Sequence, residues 1–225
     1  MHGIISFDSA SHLIDTAALG LLAIALLGTV IRRLDSAIAL LAIQGLLLGI
    51  AAGAAALGEM NWRSWAALIV ALSVKSAFIP AVLWQVLRRM AVKREVEPVL
   101  PVKLAFPLAA LLVPLAYSTA TPFTTTSTGA FAAPNALPAA IGLLLIGLFT
   151  MVTRRKALSQ VVGLVTMENG LYLAAVAATR GLPFAVEFGV AVDVLTGVAI
   201  MSLVIHEINQ LLGSTSIDRL RTLRG

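Results

Sequence analysis

Seven apolar runs, each near the length of a membrane crossing, fill most of this sequence: residues 13–31, 36–57, 65–87, 104–119, 136–152, 157–178 and 183–205. A hydrocarbon core of about 30 Å takes about 20 helical residues to cross. In that medium the backbone must satisfy its own polar groups, so runs of this length become helices. The composition agrees: 59% of the 225 residues are apolar and 12% are charged, against about 45–50% and about 25% in soluble domains. A water-soluble enzyme domain is thereby excluded. The fourth and fifth runs are short and carry Pro107, Pro114 and Pro138, so their limits are the least sharply drawn. Asp8, with no Lys or Arg, precedes the first run, so that run is read as a retained span and not as a cleaved signal.

The charged residues sort by depth. Of the 16 Lys and Arg, two (Arg32, Arg33) lie between spans one and two, and five (Arg88, Arg89, Lys93, Arg94, Lys103) between three and four. Arg154, Arg155 and Lys156 lie between five and six, and Arg219, Arg221 and Arg224 follow span seven. Only Arg63 and Arg180 fall on the other side, and Lys75 lies within a span. The positive-inside rule puts the basic side in the cytoplasm, the N-terminus outside and the C-terminus inside. The net charge of +5 is therefore mostly topology. No basic cluster has the contiguous face and stacking aromatics that nucleic acid requires.

The chain has no Cys, hence no disulfide framework, no cysteine-held iron–sulfur cluster and no thiolate nucleophile. His2, His12 and His206 are scattered, and no Gly-rich phosphate loop occurs. The expectation is a membrane body with no cofactor and no metal of its own. A retinal-type pigment is excluded, because the last span contains no Lys. The segment 117–134, rich in Thr, Pro and Ser, reads as an external connector between two bundles.

The two halves are weakly self-similar. Arg32 and Arg33 open span two as Arg154 and Arg155 open span six, and Gln44-Gly45-Leu46 corresponds to Asn169-Gly170-Leu171. The span that follows in each half carries one central ionisable residue, Lys75 or Asp193. Four spans separate the first of each unit, so the repeat is parallel. The expected fold is an all-α polytopic bundle of about seven transmembrane helices: a three-helix unit over 1–100, a connecting helix and external loop over 101–135, and a second three-helix unit with a cytoplasmic tail over 136–225. In span two Gly45, Gly49 and Gly53 form the small-every-fourth stripe that lets another helix come close, in this chain or a partner.

Lys75, Glu168 and Asp193 are charges at span centres, with Gln44 a neutral polar residue at a fourth. A central charge costs about 2.5–3.5 kcal/mol on insertion scales, so something must offset it. One reading is an internal Lys75–carboxylate pair that locks helices. The other is a proton relay, since desolvation favours the neutral form of either group and brings proton exchange towards neutral pH. Asn169 beside Glu168 and Ser76 beside Lys75 are candidate water or hydrogen-bond partners. Glu187, near the external end of span seven, suits either an entry path or an interfacial bridge with Arg180. His206 and Glu207 sit at the opposite end, where snorkelling is cheap.

The stretches RRKALSQVVGLVTMENGLYLAA (154–175) and VEFGVAVDVLTGVAIMSLVIHEI (186–208) resemble the K-type membrane subunit of respiratory complex I and the C-type subunit of multisubunit sodium/proton antiporters. The closing SIDRLRTLRG (216–225) is similar to the complex I subunit's basic tail. Over its whole length the chain resembles hydrogenase-4 component E, a family of membrane-bound [NiFe] hydrogenase and formate hydrogenlyase-type complexes. The resemblance puts Asp193 in the place of the glutamate of the third K-type span. The glutamate of the second would fall on Val165, with Glu168 nearly one turn later on about the same face. Lys75 has no counterpart in the three-span proteins.

What the resemblance implies is a non-catalytic subunit of a prokaryotic inner-membrane oxidoreductase complex of hydrogenase type. Electron transfer in a peripheral arm would drive ion movement in the membrane arm. Antiporter-like subunits would be its membrane neighbours, and [NiFe] and iron–sulfur subunits its indirect partners. Glu168 and Asp193 would relay protons, with Lys75 as a modulating or relaying cation; from the residues themselves, Glu187, Asn169 and Gln44 are candidate auxiliaries. The alternatives are a cation/proton antiporter subunit with no redox arm and a structural scaffold.

Overall fold

In a computed structural model, described for residues 7–56, 62–89, 99–126, 133, 135–178, 196–197 and 200, each apolar run within those limits becomes a helix. These are α1 (Phe7–Val30), α2 (Leu34–Ala56), α3 (Trp62–Ser73), α4 (Ile79–Arg89), α5 (Val102–Thr126), α6 (Ala136–Thr153) and α7 (Ala157–Ala178). A π-helical turn, Val74–Phe78, joins α3 to α4 without a break, so the third span is one helix in three pieces. Among the described residues five helices are individually long and apolar enough to cross a membrane: α1, α2, α5, α6 and α7. The seventh span lies outside the described residues except at 196, 197 and 200.

Helices α1, α2, α7 and α6 form a ring, with α1 packed on α2 and α6, and α7 packed on α6 and α2. Helix α5 packs outside the ring on α1 and α6, and the third span packs on α2. Helix α5 turns Ala105, Ala109, Ala116 and Ala120 inward and leaves Leu104, Phe106, Leu111 and Phe123 exposed. Small residues inside and large apolar ones outside suit helices in lipid, where close backbone approach drives association and the outer face meets acyl chains. The same economy brings α6 onto α7. A Cβ on Gly147 would lie 2.6 Å from the Met167 nitrogen and 2.7 Å from the Gly163 oxygen, so only glycine fits.

One sequence expectation is corrected. The fourth span was expected to end at residue 119 and the connector to begin at 117, but α5 continues to Thr126. The hydroxyls of Ser118, Thr119 and Thr121 donate to the carbonyls of Leu115, Ala116 and Tyr117. They are thus satisfied within the helix, and polar composition here does not mean loop. Pro107, Pro114 and Pro122 all sit on the exposed face, away from the alanine side that packs.

Two apolar clusters stack along the bundle. Near the basic end Leu34, Ile38 and Leu41 of α2 pack with Ile79, Leu83 and Leu87 of α4, with Leu158, Val161 and Val165 of α7, and with Ile200. Towards the other end Leu48 and Ala51 of α2 pack with Leu68 of α3, Leu143 of α6 and Tyr172, Leu173 and Val176 of α7. On α2, the third span and α7 the gap between the clusters falls at Gln44, Lys75 and Glu168–Asn169.

Candidate functional site

Gln44, Lys75, Glu168 and Asn169 come from three helices and are all at least 96% buried. The Lys75 ammonium donates to Glu168 Oε1 in a buried salt bridge. One residue along α7, Asn169 Nδ2 donates to Gln44 Oε1 at 3.1 Å. The Lys75 ammonium also stands 5.5 Å from the centre of the Tyr172 ring, a cation–π contact. Tyr172 is one turn beyond Glu168, so both reach the same cation from one face of α7. The second Asn169 amide atom, Oδ1, is buried with no hydrogen-bond partner among the described residues.

The backbone around Lys75 explains its placement. Pro80 has no N–H to give the Ser76 carbonyl and its ring would crowd that carbonyl. The chain instead widens, and the Ile79 N–H bonds the Val74 carbonyl, five residues back. The Ser76 hydroxyl donates to the Leu72 carbonyl at 2.6 Å and so is engaged within its own helix. Helix α2 presses against this widened turn at Gly45, where a Cβ would lie 2.8 Å from the Lys75 carbonyl carbon and oxygen. A Cβ on Gly49 would strike the Leu72 side chain, and one on Gly53 would meet Leu68 at 3.7 Å. The glycine stripe of α2 therefore packs within this chain, against the third span.

Both ends of the bundle are tied across the halves as well. Arg154, 7% exposed, follows α6 and points its guanidinium at the C-terminus of α1. Its Nη2 donates to the Thr29 and Ile31 carbonyls at 2.7 and 3.1 Å, groups that the end of a helix leaves without partners. At the opposite end both Asp15 carboxylate oxygens accept from Asn135, one from its backbone N–H at 2.9 Å and one from its amide at 3.1 Å.

Of the residues singled out by sequence, the structure brings together Lys75, Glu168, Asn169 and Gln44. Glu168, one of the two carboxylates weighed as partners for Lys75, is paired with it. Asp193, Glu187, Arg180, His206 and Glu207 lie outside the described residues. Sequence reasoning did not single out Tyr172, whose signal is its i+4 spacing from Glu168. Nor did it single out Pro80, Asp15 or the capping role of Arg154. No group of three or more His, Asp or Glu able to hold a metal occurs among the described residues.

Fold and site together define a multi-pass helical membrane protein with an ion pair buried at mid-span between its two halves. Residues 136–225, which include Glu168 and Asn169, match the model of the family NADH-ubiquinone/plastoquinone oxidoreductase chain 4L. The chain is 30% identical over 218 residues to the uncharacterized protein Rv0085 of Mycobacterium tuberculosis, covering 95% of this chain and 97% of that protein. It is 34% identical over 90 residues to hydrogenase-4 component E of Escherichia coli K12, covering 40% of this chain and 42% of that protein. Hydrogenase-4 component E of Shigella flexneri matches to the same extent. No solved structure matches. The chain belongs to one family with the mycobacterial protein, to which it is related end to end, and its residues 136–225 are related to the complex I-type membrane subunits that the chain 4L model marks.

Proposed function

We propose that this chain is a non-catalytic integral membrane subunit of a hydrogenase-type, complex I-related assembly. In it Glu168 and Asp193 relay protons and Lys75 tunes the relay, while redox chemistry takes place in partner subunits. The observation that carries this reading is the Lys75–Glu168 ion pair, buried at the middle of two spans and bordered by the Gln44–Asn169 amide pair. Buried midspan charges cost enough to insert that they mark ion pathways in membrane proteins. A carboxylate beside a lysine is also a site whose proton affinity small movements retune. In Asn169 Oδ1 the site has a further acceptor for a water.

Gln44 and Asn169 occupy corresponding positions of the two sequence halves and touch each other, as α2 touches α7 and α1 touches α6. This supports reading the chain as two related three-helix units about an axis along the membrane normal, with α5 between them in sequence. On this reading the chain holds no cofactor. Its neighbours are antiporter-like and other membrane-arm subunits, and [NiFe] and iron–sulfur subunits are reached only indirectly. It lies in a prokaryotic plasma membrane with its N-terminus outside and its basic side in the cytoplasm.

The test is substrate-driven proton movement in inverted vesicles that carry the whole complex, read with a pH-sensitive dye. Asp193→Asn, and Lys75→Met combined with Glu168→Met, should each abolish it while the complex still assembles. Normal pumping in both variants refutes the relay. Loss of the complex itself, instead of its pumping, favours a scaffold whose charges only hold helices. Nickel and iron–sulfur signals in the purified complex separate this reading from a cation/proton antiporter without a redox arm.

A further inference from the structure

Between the α1–α2 turn and the start of α5 lies a cleft of about 620 Å³, within the size range of small-ligand sites. Its polar wall is Arg32, Arg33, Ser36 and Lys103, and its apolar wall includes Val30 and Ile31. Arg33 is bridged to Asp35 at 2.7 Å. Arg32 and Lys103 make no hydrogen bond or ion pair with the described residues, so the cleft keeps a strong positive excess. Depth is informative here. The apolar spans of α1, α2 and α5 stop or start at Val30, Leu34 and Lys103, so the cleft opens where headgroups meet acyl chains. The helices flanking it continue into the apolar layer with exposed Leu27, Leu104 and Leu108.

We propose that this cleft binds the headgroup of an anionic phospholipid, its phosphodiester held by Arg32, Arg33 and Lys103 and its acyl chains lying along α1 and α5. A guanidinium fork offers two parallel donors to phosphate oxygens, and a lysine adds a mobile point charge. Basic pockets between spans on the basic side of a membrane protein suit such headgroups. A soluble acidic ligand would have no use for the apolar wall, whereas a lipid uses both walls together.

The experiment takes the full chain in mild detergent and titrates phosphatidylglycerol or phosphatidylcholine, counting bound lipids by native mass spectrometry. Phosphatidylglycerol should bind preferentially. Each basic residue near an anionic headgroup is worth about fivefold in affinity, so Arg32→Gln with Lys103→Gln should weaken phosphatidylglycerol about thirtyfold and leave phosphatidylcholine unchanged. A control pair elsewhere at the basic end, Arg88→Gln with Lys156→Gln, should leave the preference nearly intact. Equal binding of the two lipids, or an equal loss in the control pair, overturns the proposal. Displacement of the lipid by millimolar inorganic phosphate also overturns it, in favour of a free-phosphate site. Should the double variant fail to fold, the wild type still decides. Its phosphatidylglycerol preference should fall as salt is raised, and a preference absent or indifferent to salt refutes the assignment.

Discussion

Removing either partner of the Lys75–Glu168 pair should be far more damaging than removing both. Lys75 and Glu168 are 4% and 2% exposed, so a charge that loses its partner gains no water in its place. Breaking a buried pair from one side costs about 3–5 kcal/mol, whereas an apolar pair of similar volume is often neutral. Lys75→Met and Glu168→Met should therefore each lose about 3–5 kcal/mol of unfolding free energy in a mixed-micelle denaturation assay. The double variant should lose at most about 1.5 kcal/mol, since two methionines conserve volume and leave no charge. The cycle then carries a coupling of at least about 4 kcal/mol, large beside the 0.5–3 kcal/mol of ordinary contacting pairs. Tyr172 adds to the Lys75 arm, because its ring loses the cation as well. Additive losses of under about 1 kcal/mol would refute a buried ion pair. The double variant also separates fold from function, for it should be stable and yet fail to support proton movement.

Two further perturbations probe how the site is held. Gly147→Ala forces a methyl into the Met167 and Gly163 backbone, which cannot rotate away, and should cost about 1–3 kcal/mol. Gly28→Ala, whose added Cβ meets nothing within 4 Å, should be neutral or slightly stabilising, and equal effects of the two in the same denaturation assay would count against close α6–α7 contact. Arg154→Gln should cost about 3 kcal/mol through lost charged bonds to the α1 carbonyls, with Arg154→Lys intermediate because an ammonium cannot fork. Wild-type hydrogen exchange in the last turn of α1 in both variants would refute the cap.

How much was legible in the sequence follows from which forces are local. Span positions are local sums of apolar residues, and those for the described helices agree with the structure to within a turn or two, apart from the far end of α5 and the near end of α1, where polar residues extend the helix. The residues at the centre of the site were legible for the same reason, since a charge inside an apolar run is conspicuous without any partner. The partner itself was not. Lys75 and Glu168 are 93 positions apart, and pairing them requires knowing that α2, α7 and the third span meet. Arg154 shows the same limit: as one of a basic cluster it reported orientation, and only the arrival of the α1 terminus turns it into a buried cap.

The π-turn shows how a single residue reconciles local chemistry with a long-range face. Leu68, Lys75, Ile79, Leu83 and Leu87 are all buried, yet Leu68 and Leu87 are nineteen positions apart. At about 100° per residue an unbroken α-helix would set them about 100° out of phase, pointing one of them towards lipid. Widening one turn accommodates an extra residue and takes back about 100° of rotation, returning both ends to one side. Pro80 supplies the reason for the widening, and Gly45 supplies the room for it against α2. Were the turn regular, Leu87, at the far end of the ladder, would lie about 100° from Leu68. Lys75 stands where the two clusters part, with packing above and below it. The apolar ladder therefore holds the cation in register with Glu168, and the pair depends on residues that carry no charge at all.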